Sequence, residues 1–256
     1  MKTCEKDCLL ASYCSQAGNP HFCNYTCFPR TRLHGLEGDG GLIAVANIPL
    51  KYRKSTIQNL PFKEENPKAY AIVTRYGEKI VEKVNEGVGL YLFGVPSEEN
   101  PKGVGNGKTT AATALLIEYL RQITILEAKK KYKIEDIPAF FMKMAKFQNV
   151  HNSQFRGSND VQNVNADRYQ ELKKKMINCD LLVLDDIGLR GITEALQNEF
   201  DEIIDERDTN RKATIFTSNV PLKNLSKIFG EQIASRIEGM TIPVPFYGKD
   251  HRRRNL

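Results

Sequence analysis

The sequence predicts an α/β fold in which a mostly parallel sheet is flanked by helices. Short apolar runs alternate with longer segments of helical spacing from about residue 67 onwards. Such alternation is typical of strand–helix–strand units. A glycine-rich stretch and a pair of acidic residues each come after one of the apolar runs. Because ligands bind beyond the carboxyl ends of strands in open α/β sheets, these two stretches mark the expected site.

The elements of this fold can be assigned in chain order. The predicted strands are 89–94, 139–145, 179–186, 213–219 and 241–246. The last strand contains two prolines, which places it at an edge of the sheet. The predicted helices, in which apolar residues recur three or four positions apart, are 69–87, 109–131, 192–208 and 230–239, with a polar helix between the second and third strands.

Length, charge and hydropathy bound the class of protein. A chain of 256 residues can form one core with a small appendage. The net charge of +6 permits nucleic acid as a partner without requiring it. No apolar run approaches the length of a membrane span, and the first residues lack the apolar centre of a signal peptide. We therefore expect a cytoplasmic protein with no membrane partner.

The cysteines are concentrated at the N-terminus. Five of the six lie within the first 27 residues, with the spacing C-x3-C-x5-C-x8-C-x3-C and with His21 beside the fourth. Because a reducing compartment disfavours disulfides, we interpret the cluster as a metal site, with Zn²⁺ favoured and an iron–sulfur cluster as the alternative. The candidate ligands exceed the four that Zn²⁺ needs and are Cys4, Cys8, Cys14, Cys23 and Cys27.

The composition divides the chain into three parts. Residues 1–40 form the Cys-rich, metal-binding segment, for which we expect a role in protein contact. Residues 41–66 contain prolines and scattered charges, which predict a linker or arm with little regular structure. Residues 67–256 hold the strand–helix alternation and form the α/β domain.

The glycine-rich stretch GVGNGKTT, residues 103–110, has the composition of a phosphate-binding loop. Its backbone N–H groups would surround phosphates, its lysine would supply positive charge and its threonine hydroxyl would ligate Mg²⁺. The common pattern G-x-x-x-x-G-K-[ST] requires glycine at position 102, where this chain has Lys102. We interpret 95–102 as an enlarged loop entrance that bulges outward. The candidate nucleotide-binding residues are Gly103, Gly105, Asn106, Gly107, Lys108, Thr109 and Thr110.

Polar residues at later strand ends complete the predicted site. Asp185 and Asp186 follow four apolar residues, so Asp185 is expected to hold Mg²⁺ and Asp186 to orient the attacking water. Asn219 ends the fourth predicted strand, where it can bond that water or the γ-phosphate. Arg236 is a candidate arginine finger for a neighbouring subunit, and Arg252 or the arginine after it a candidate for reaching the γ-phosphate in cis. A solvated basic surface is the alternative for these arginines.

The ordered set of motifs IPLKYRKSTIQNL, GVGNGKTT, LLVLDDIG, TIFTSN, FGEQIASRI and GKDHR resembles the bacterial and phage replicative helicase loaders of the DnaC/DnaI type. These are AAA+ P-loop ATPases of the initiator clade, and the resemblance covers about residues 45–256. It implies ATP and Mg²⁺ as cofactors. By position, it assigns Lys108 and Thr109 to Walker A, Asp185 and Asp186 to Walker B, Asn219 to sensor 1, Arg236 to the arginine finger and Arg252 to sensor 2.

The resemblance also implies partners and an activity. Such loaders use ATP and single-stranded DNA to place a hexameric replicative helicase on unwound origin DNA. Their N-terminal region grips the helicase, a role that the resemblance implies for residues 1–40 here, and their AAA+ domains associate side by side. Asp186 replaces the glutamate of most AAA+ ATPases, so hydrolysis is expected to be slow and to act as a switch. Two alternatives stay open, a transposition-type ATPase that selects target DNA and a non-hydrolysing adaptor that binds ATP or DNA.

Contact with DNA is expected in the polar region between the second and third strands. Phe147, His151, Phe155, Arg156 and Arg168 would supply stacking rings and phosphate contacts. The alternative is a surface helix whose two phenylalanines pack inward.

Overall fold

The computed structural model describes residues 3–98, 100–134, 137–188 and 193–251. Its centre is a five-stranded sheet in the order β2-β3-β4-β1-β5, with every neighbouring pair parallel. The predicted parallel sheet flanked by helices is confirmed, and the proline-containing strand lies at an edge as expected. The strands are β1 (Gly89–Gly94), β2 (Ala139–Lys143), β3 (Leu181–Ile187), β4 (Ala213–Ser218) and β5 (Thr241–Phe246).

Helices cover both faces of this sheet. Alternate residues of a strand point to opposite faces, so Leu90 and Leu92 of β1 enter one core and Tyr91 enters the other. The core on the first face includes residues of α1 (Phe28–His34), α2 (Gly41–Val45), α3 (Pro67–Glu78), α4 (Ile80–Asn85) and α5 (Lys108–Ala128). The second packs against α6 (Met144–Ser153), α7 (Asn159–Asn178), α8 (Glu194–Thr209), α9 (Ser226–Phe229) and α10 (Glu231–Gly239).

The segment 41–66 is more ordered than its composition predicts. It contains α2 and two 3-10 turns, and it runs beside the edge strand β2. The Phe141 backbone N–H donates to the Ala46 carbonyl at 2.8 Å, and the Asn47 amide donates to the Phe141 carbonyl at 2.9 Å. Burial of several apolar side chains in the first core explains how this proline-containing stretch is held in place. They include Ile43, Ile48, Ile57, Leu60 and Phe62.

The Cys-rich N-terminal segment docks on α5. The Tyr13 hydroxyl donates to Glu118 Oε1 at 2.6 Å, and Arg121 both pairs with Glu118 and donates to the Ser12 hydroxyl. The first turn of the same helix carries the phosphate-loop lysine. Within the described ranges, no helix is long and apolar enough to cross a membrane.

Candidate phosphate-binding site

The loop between β1 and α5 closes tightly around a concave backbone. Gly103, Gly105 and Gly107 all adopt positive φ, at 56°, 70° and 94°, a region that glycine enters without strain. A Cβ on Gly94 would collide with the Gly103 carbonyl, so the strand end and the loop can approach only as glycines. The backbone N–H groups at the start of the 21-residue helix α5 are then available for an anion.

Lys108, the first residue of α5, is buried in this loop. Its ammonium donates to the Gly103 carbonyl and to Asn106 Oδ1, both at 2.8 Å. The Asn106 amide in turn donates to the Phe246 carbonyl at the end of β5, at 2.8 Å. These two acceptors inside the loop are neutral, and a phosphate oxygen would offer the ammonium a stronger, charged one.

The loop entrance keeps this geometry despite the missing glycine. Lys102 is exposed at the surface, and Gly103 supplies the first positive φ. Thr110 lies half-buried in the first turn of α5, where its carbonyl accepts a hydrogen bond from Thr113. The departure from the common pattern, Lys102 in place of glycine, therefore lies before the glycines that lead into α5.

Asp185 joins the loop to the acidic end of β3. Its carboxylate is buried, and Oδ1 accepts hydrogen bonds from the Thr109 and Thr217 hydroxyls, each at 2.7 Å. A carboxylate and a threonine hydroxyl in contact at a phosphate loop are the oxygen ligands that suit Mg²⁺. The donor set at this point fits the metal that the sequence predicts.

Asp186 has a backbone conformation that is rare for a residue with a side chain. Its φ is 67°, and the β3–β4 register is irregular between Leu184 and Ile187. The Asp186 N–H donates to Thr217 Oγ1 at 2.8 Å, so one hydroxyl holds both acidic residues. Left-handed strain of this kind persists where surrounding hydrogen bonds fix it, as the bond to Thr217 does here.

Thr217 is a site residue that the sequence analysis missed. Its position two residues before Asn219 could have indicated this role, since strand residues two apart share a face. Replacing Thr217 with valine is expected to lower kcat for ATP hydrolysis about tenfold with little change in KM, because a hydrogen bond to a charged group is lost. Steady-state kinetics would measure it.

Thr241→Val is the matched control for this substitution. Thr241 is also buried at a strand, but its hydroxyl donates to the Ile237 carbonyl away from the acids. Equal kcat values for the two variants would contradict the role assigned to Thr217.

Asn219 follows β4 directly, close in sequence to Thr217. Its Oδ1 is buried and has no hydrogen-bond partner within the part of the chain that the structure describes. Leaving a buried polar atom unbonded costs about 1–3 kcal/mol, so this oxygen favours a ligand that donates to it. Asn219 therefore lies at the strand end as predicted, and its Oδ1 can accept a hydrogen bond from a ligand.

The structure describes only one of the two predicted catalytic arginines. Arg236 lies on α10 and pairs with Asp201 at 2.8 Å and Asp205 at 2.6 Å, both on α8 of the same chain. It does not join Lys108 and Asp185 in the phosphate site, and its role as an arginine finger stays a prediction. Arg252 lies outside the described residues.

Gly105 is constrained by its neighbour as well as by its φ. A Cβ there would collide with the Asp250 carboxylate. We expect Gly105→Ala to weaken ATP binding about tenfold or more, because positive φ is strained for alanine and the methyl group displaces the segment above it. Titration with a fluorescent ATP analogue measures the change.

Gly239→Ala serves as the control, since it has open space around its Cβ position and no positive φ. ATP affinity in Gly105→Ala equal to that of this control would contradict the constraint.

The N-terminal cysteines form a looser group than a complete metal site. Within the described ranges, no three or more Cys, His, Asp or Glu residues stand close enough to hold a metal ion. Cys4 and Cys23 are buried with their sulfur atoms 3.7 Å apart, whereas Cys14 and His21 are exposed. The remaining two, Cys8 and Cys27, are partly buried.

The close pair of thiols is electrostatically unequal. Burial, the hydrogen bond with Cys23 and the charges of neighbouring cysteines raise the pKa of Cys4 to about 12. Burial opposes ionisation of Cys23 too, but hydrogen bonds from the Gly18 and Cys4 backbones and from the Cys4 thiol lower its pKa. Of the two thiols, Cys23 therefore ionises more readily than Cys4.

Comparison with known proteins is consistent with this site. Residues 159–237 match the model of the family described as IstB-like ATP binding protein. DnaC, the replicative helicase loader of Escherichia coli (strain K12), is 27% identical over 86 residues, which are 33% of this chain and 35% of DnaC. The chain is thus similar to IstB-like ATP binding proteins over residues 159–237 and to DnaC over 86 residues. The alignments to curated relatives span between 17% and 39% of those proteins.

Solved structures extend the likeness in fold to about three quarters of the chain. The crystal structure of the DnaC helicase loader superposes with a TM-score of 0.55 and 22% identity, covering 77% of this chain and 99% of that one. The crystal structure of DnaI gives 0.56 and 19%, covering 78% and 94%. The predicted α/β fold with a parallel sheet flanked by helices and the resemblance to DnaC/DnaI loaders are thereby confirmed, whereas the metal-binding character of the Cys-rich segment stays a prediction.

Proposed function

We propose that this protein is an ATP-dependent loader that delivers a replicative hexameric DNA helicase onto single-stranded origin DNA, with ATP hydrolysis as the switch for release. The observation that carries the proposal is the DnaC-like fold in which Thr109 of the phosphate loop meets Asp185 at 2.7 Å. This contact joins the two halves of a nucleoside triphosphate site on a scaffold like that of DnaC.

In this proposal each polar residue has one role. Lys108 neutralises charge on the outer phosphates, and Thr109 and Asp185 would hold Mg²⁺, which supplies charge stabilisation at the phosphates. Asp186 orients the attacking water, and the unbonded Asn219 oxygen accepts a hydrogen bond from it. Asp186 is one methylene shorter than glutamate, so the proposed ATPase is slow.

The remaining catalytic residues act beyond the described site. Arg236 would act in trans on a neighbouring subunit, which requires it to leave Asp201 and Asp205. Arg252 is assigned to sensor 2 by resemblance. Self-association through the AAA+ domains is therefore part of the proposal.

A metal-binding role for the N-terminal segment is a second part of the proposal. In a tetrahedron of sulfur ligands about 2.3 Å from Zn²⁺, neighbouring sulfurs are about 3.8 Å apart, close to the separation of Cys4 and Cys23. Cys8 and Cys27 lie near enough to raise the pKa of Cys4 through their charges, whereas Cys14 is exposed. Elemental analysis of the purified protein would test it. One zinc per chain supports the proposal, iron supports the cluster alternative, and neither metal contradicts both.

Single-stranded DNA is the proposed nucleic-acid partner. Of the two phenylalanines that the alternative places inward, only Phe147 is buried, and His151 is buried as well. Phe155 is 69% exposed, and Arg156 and Arg168 are also at the surface. The proposed DNA-contacting group is therefore reduced to these three exposed side chains.

The match to the IstB-like family model favours one second candidate, the transposition-type ATPase that selects target DNA. The two candidates share phosphate chemistry and differ in partner. The third, a non-hydrolysing adaptor, would show no turnover above an Asp186→Asn control in the presence of single-stranded DNA.

The first experiment is binding to a replicative helicase hexamer with ATP, with ADP and with the Lys108→Ala variant. We expect binding that changes with nucleotide and release that requires Lys108. A wild-type protein that binds no helicase under any nucleotide condition would contradict the loader and leave the transposition-type ATPase.

A further inference from the structure

The insertion at the loop entrance does not bulge outward along its whole length. Asn100 is only 4% exposed, although Lys102 two residues later is at the surface. The Asn100 backbone N–H donates to Ser97 at 3.1 Å, and the Gly103 N–H donates to the Asn100 carbonyl at 2.9 Å. The insertion thus folds back and turns the Asn100 side chain toward the phosphate loop.

The Asn100 amide bonds two separate parts of the chain. Its Oδ1 accepts from the Val104 N–H at 3.2 Å, and its Nδ2 donates to the Val104 carbonyl at 2.7 Å and to the Gly248 carbonyl at 3.0 Å. Val104 lies between two glycines of the phosphate loop, and Gly248 lies two residues beyond β5. A neutral amide offers the acceptor and the two donors that this arrangement requires.

Residues 247–251, the C-terminal strap, lie against the phosphate loop. The His251 N–H donates to the Gly105 carbonyl at 3.1 Å. Glu65 Oε2 accepts from the Lys249 N–H at 3.4 Å and stands 3.3 Å from His251 Nε2. The strap is therefore bonded to the loop at Asn100 and at Gly105, and to the segment before α3 at Glu65.

We propose that Asn100 is a positioning residue that makes the phosphate loop and the C-terminal strap respond together to nucleotide. This inference rests on the proposed function, since it requires a nucleoside triphosphate at the loop. Bound phosphates restrict the motion of the loop backbone, including Val104. Because the Asn100 amide is hydrogen-bonded to both Val104 and Gly248, the motion of Gly248 is restricted as well. By linkage, an ordered strap favours nucleotide binding to the same degree.

The first test is the kinetics of Asn100→Leu in the full-length protein. Leucine has nearly the same size but none of the three hydrogen bonds, so we expect KM for ATP to rise about tenfold with kcat nearly unchanged. Ser97→Ala is the matched control, because it alters the insertion and leaves the amide contacts in place. Asn100→Ser, which leaves room for water, gives the same comparison if the leucine variant does not fold.

The second test is amide hydrogen exchange of residues 247–251 with and without a non-hydrolysable ATP analogue. In wild type and Ser97→Ala we expect the analogue to slow exchange. In Asn100→Leu, held at saturating analogue, we expect much less slowing, since only the His251–Gly105 hydrogen bond still joins strap and loop directly. A merely structural role would instead lower the unfolding midpoint and speed exchange across the chain in both states.

The outcomes separate the two proposals. Wild-type KM and wild-type protection in the folded Asn100→Leu variant would overturn the inference while leaving the ATP site intact. Failure of the wild-type protein to bind the analogue would instead overturn the proposed function itself.

Discussion

Replacing Asp185 with asparagine is expected to lower ATP hydrolysis on the order of 100-fold or more while the protein stays folded. The Asp185 carboxylate touches the Thr109 hydroxyl, and this pair would hold the metal that neutralises the phosphates. Asparagine keeps the size and one carbonyl oxygen but loses the negative charge. Because the metal contributes several kcal/mol to the transition state, its loss gives an effect of this size.

The measurement is phosphate release across a range of Mg²⁺ concentrations, with thermal unfolding as the check on folding. Asp180→Asn is a matched control, since this aspartate lies just before β3 at the opposite end of the strand and pairs with Lys212. An Asp185→Asn variant that hydrolyses ATP as fast as the control at the same Mg²⁺ would remove Asp185 from the site.

The core of the candidate site could be predicted because strand ends converge. Lys108 and Thr109 come after β1 along the chain, Asp185 lies near the carboxyl end of β3, and parallel strands bring their carboxyl ends to one edge. Their meeting in the structure follows from that rule. Asn100 and Thr217 could not be found in this way, since one lies in an insertion with no motif and the other resembles any buried strand threonine.

The fold was predictable where apolar periodicity is strong. All five strands match their predicted positions to within two residues at each end. The segment 41–66 was harder, because its burial depends on Ile57, Leu60 and Phe62 finding the face of α5 rather than on local pattern. The helix predicted over 69–87 is divided at Lys79, a break that no proline marks.

Buried charge was the other feature that sequence could not reveal. Arg207 of α8 falls in a stretch rich in acidic residues, where an exposed helical position is the natural expectation. In the structure it is fully buried, and burial lowers its pKa below the usual value for arginine. The reason lies in backbone carbonyls from three elements that no sequence pattern brings together.

Arg207→Met is expected to reduce the free energy of unfolding by about 3–5 kcal/mol. The guanidinium donates to carbonyls at the end of α7, before β3 and at the start of β4, namely those of Met176, Ile177, Cys179 and Ala213, and to the Thr214 hydroxyl. Methionine fills much of the volume but leaves these buried acceptors unbonded, at about 1–3 kcal/mol each before relaxation. Denaturant unfolding measures the loss.

Because these carbonyls lie at the amino ends of β3 and β4, away from Asp185 and Asn219, the Arg207→Met variant that remains folded should bind ATP with wild-type affinity. Arg75→Met on the exposed surface of α3 is the control, with an expected change within about 0.5 kcal/mol. Two results would contradict this account. One is an Arg207→Met stability equal to that of the control, and the other is a loss of ATP affinity in folded protein, which would mean that the amino ends of the strands communicate with the phosphate site.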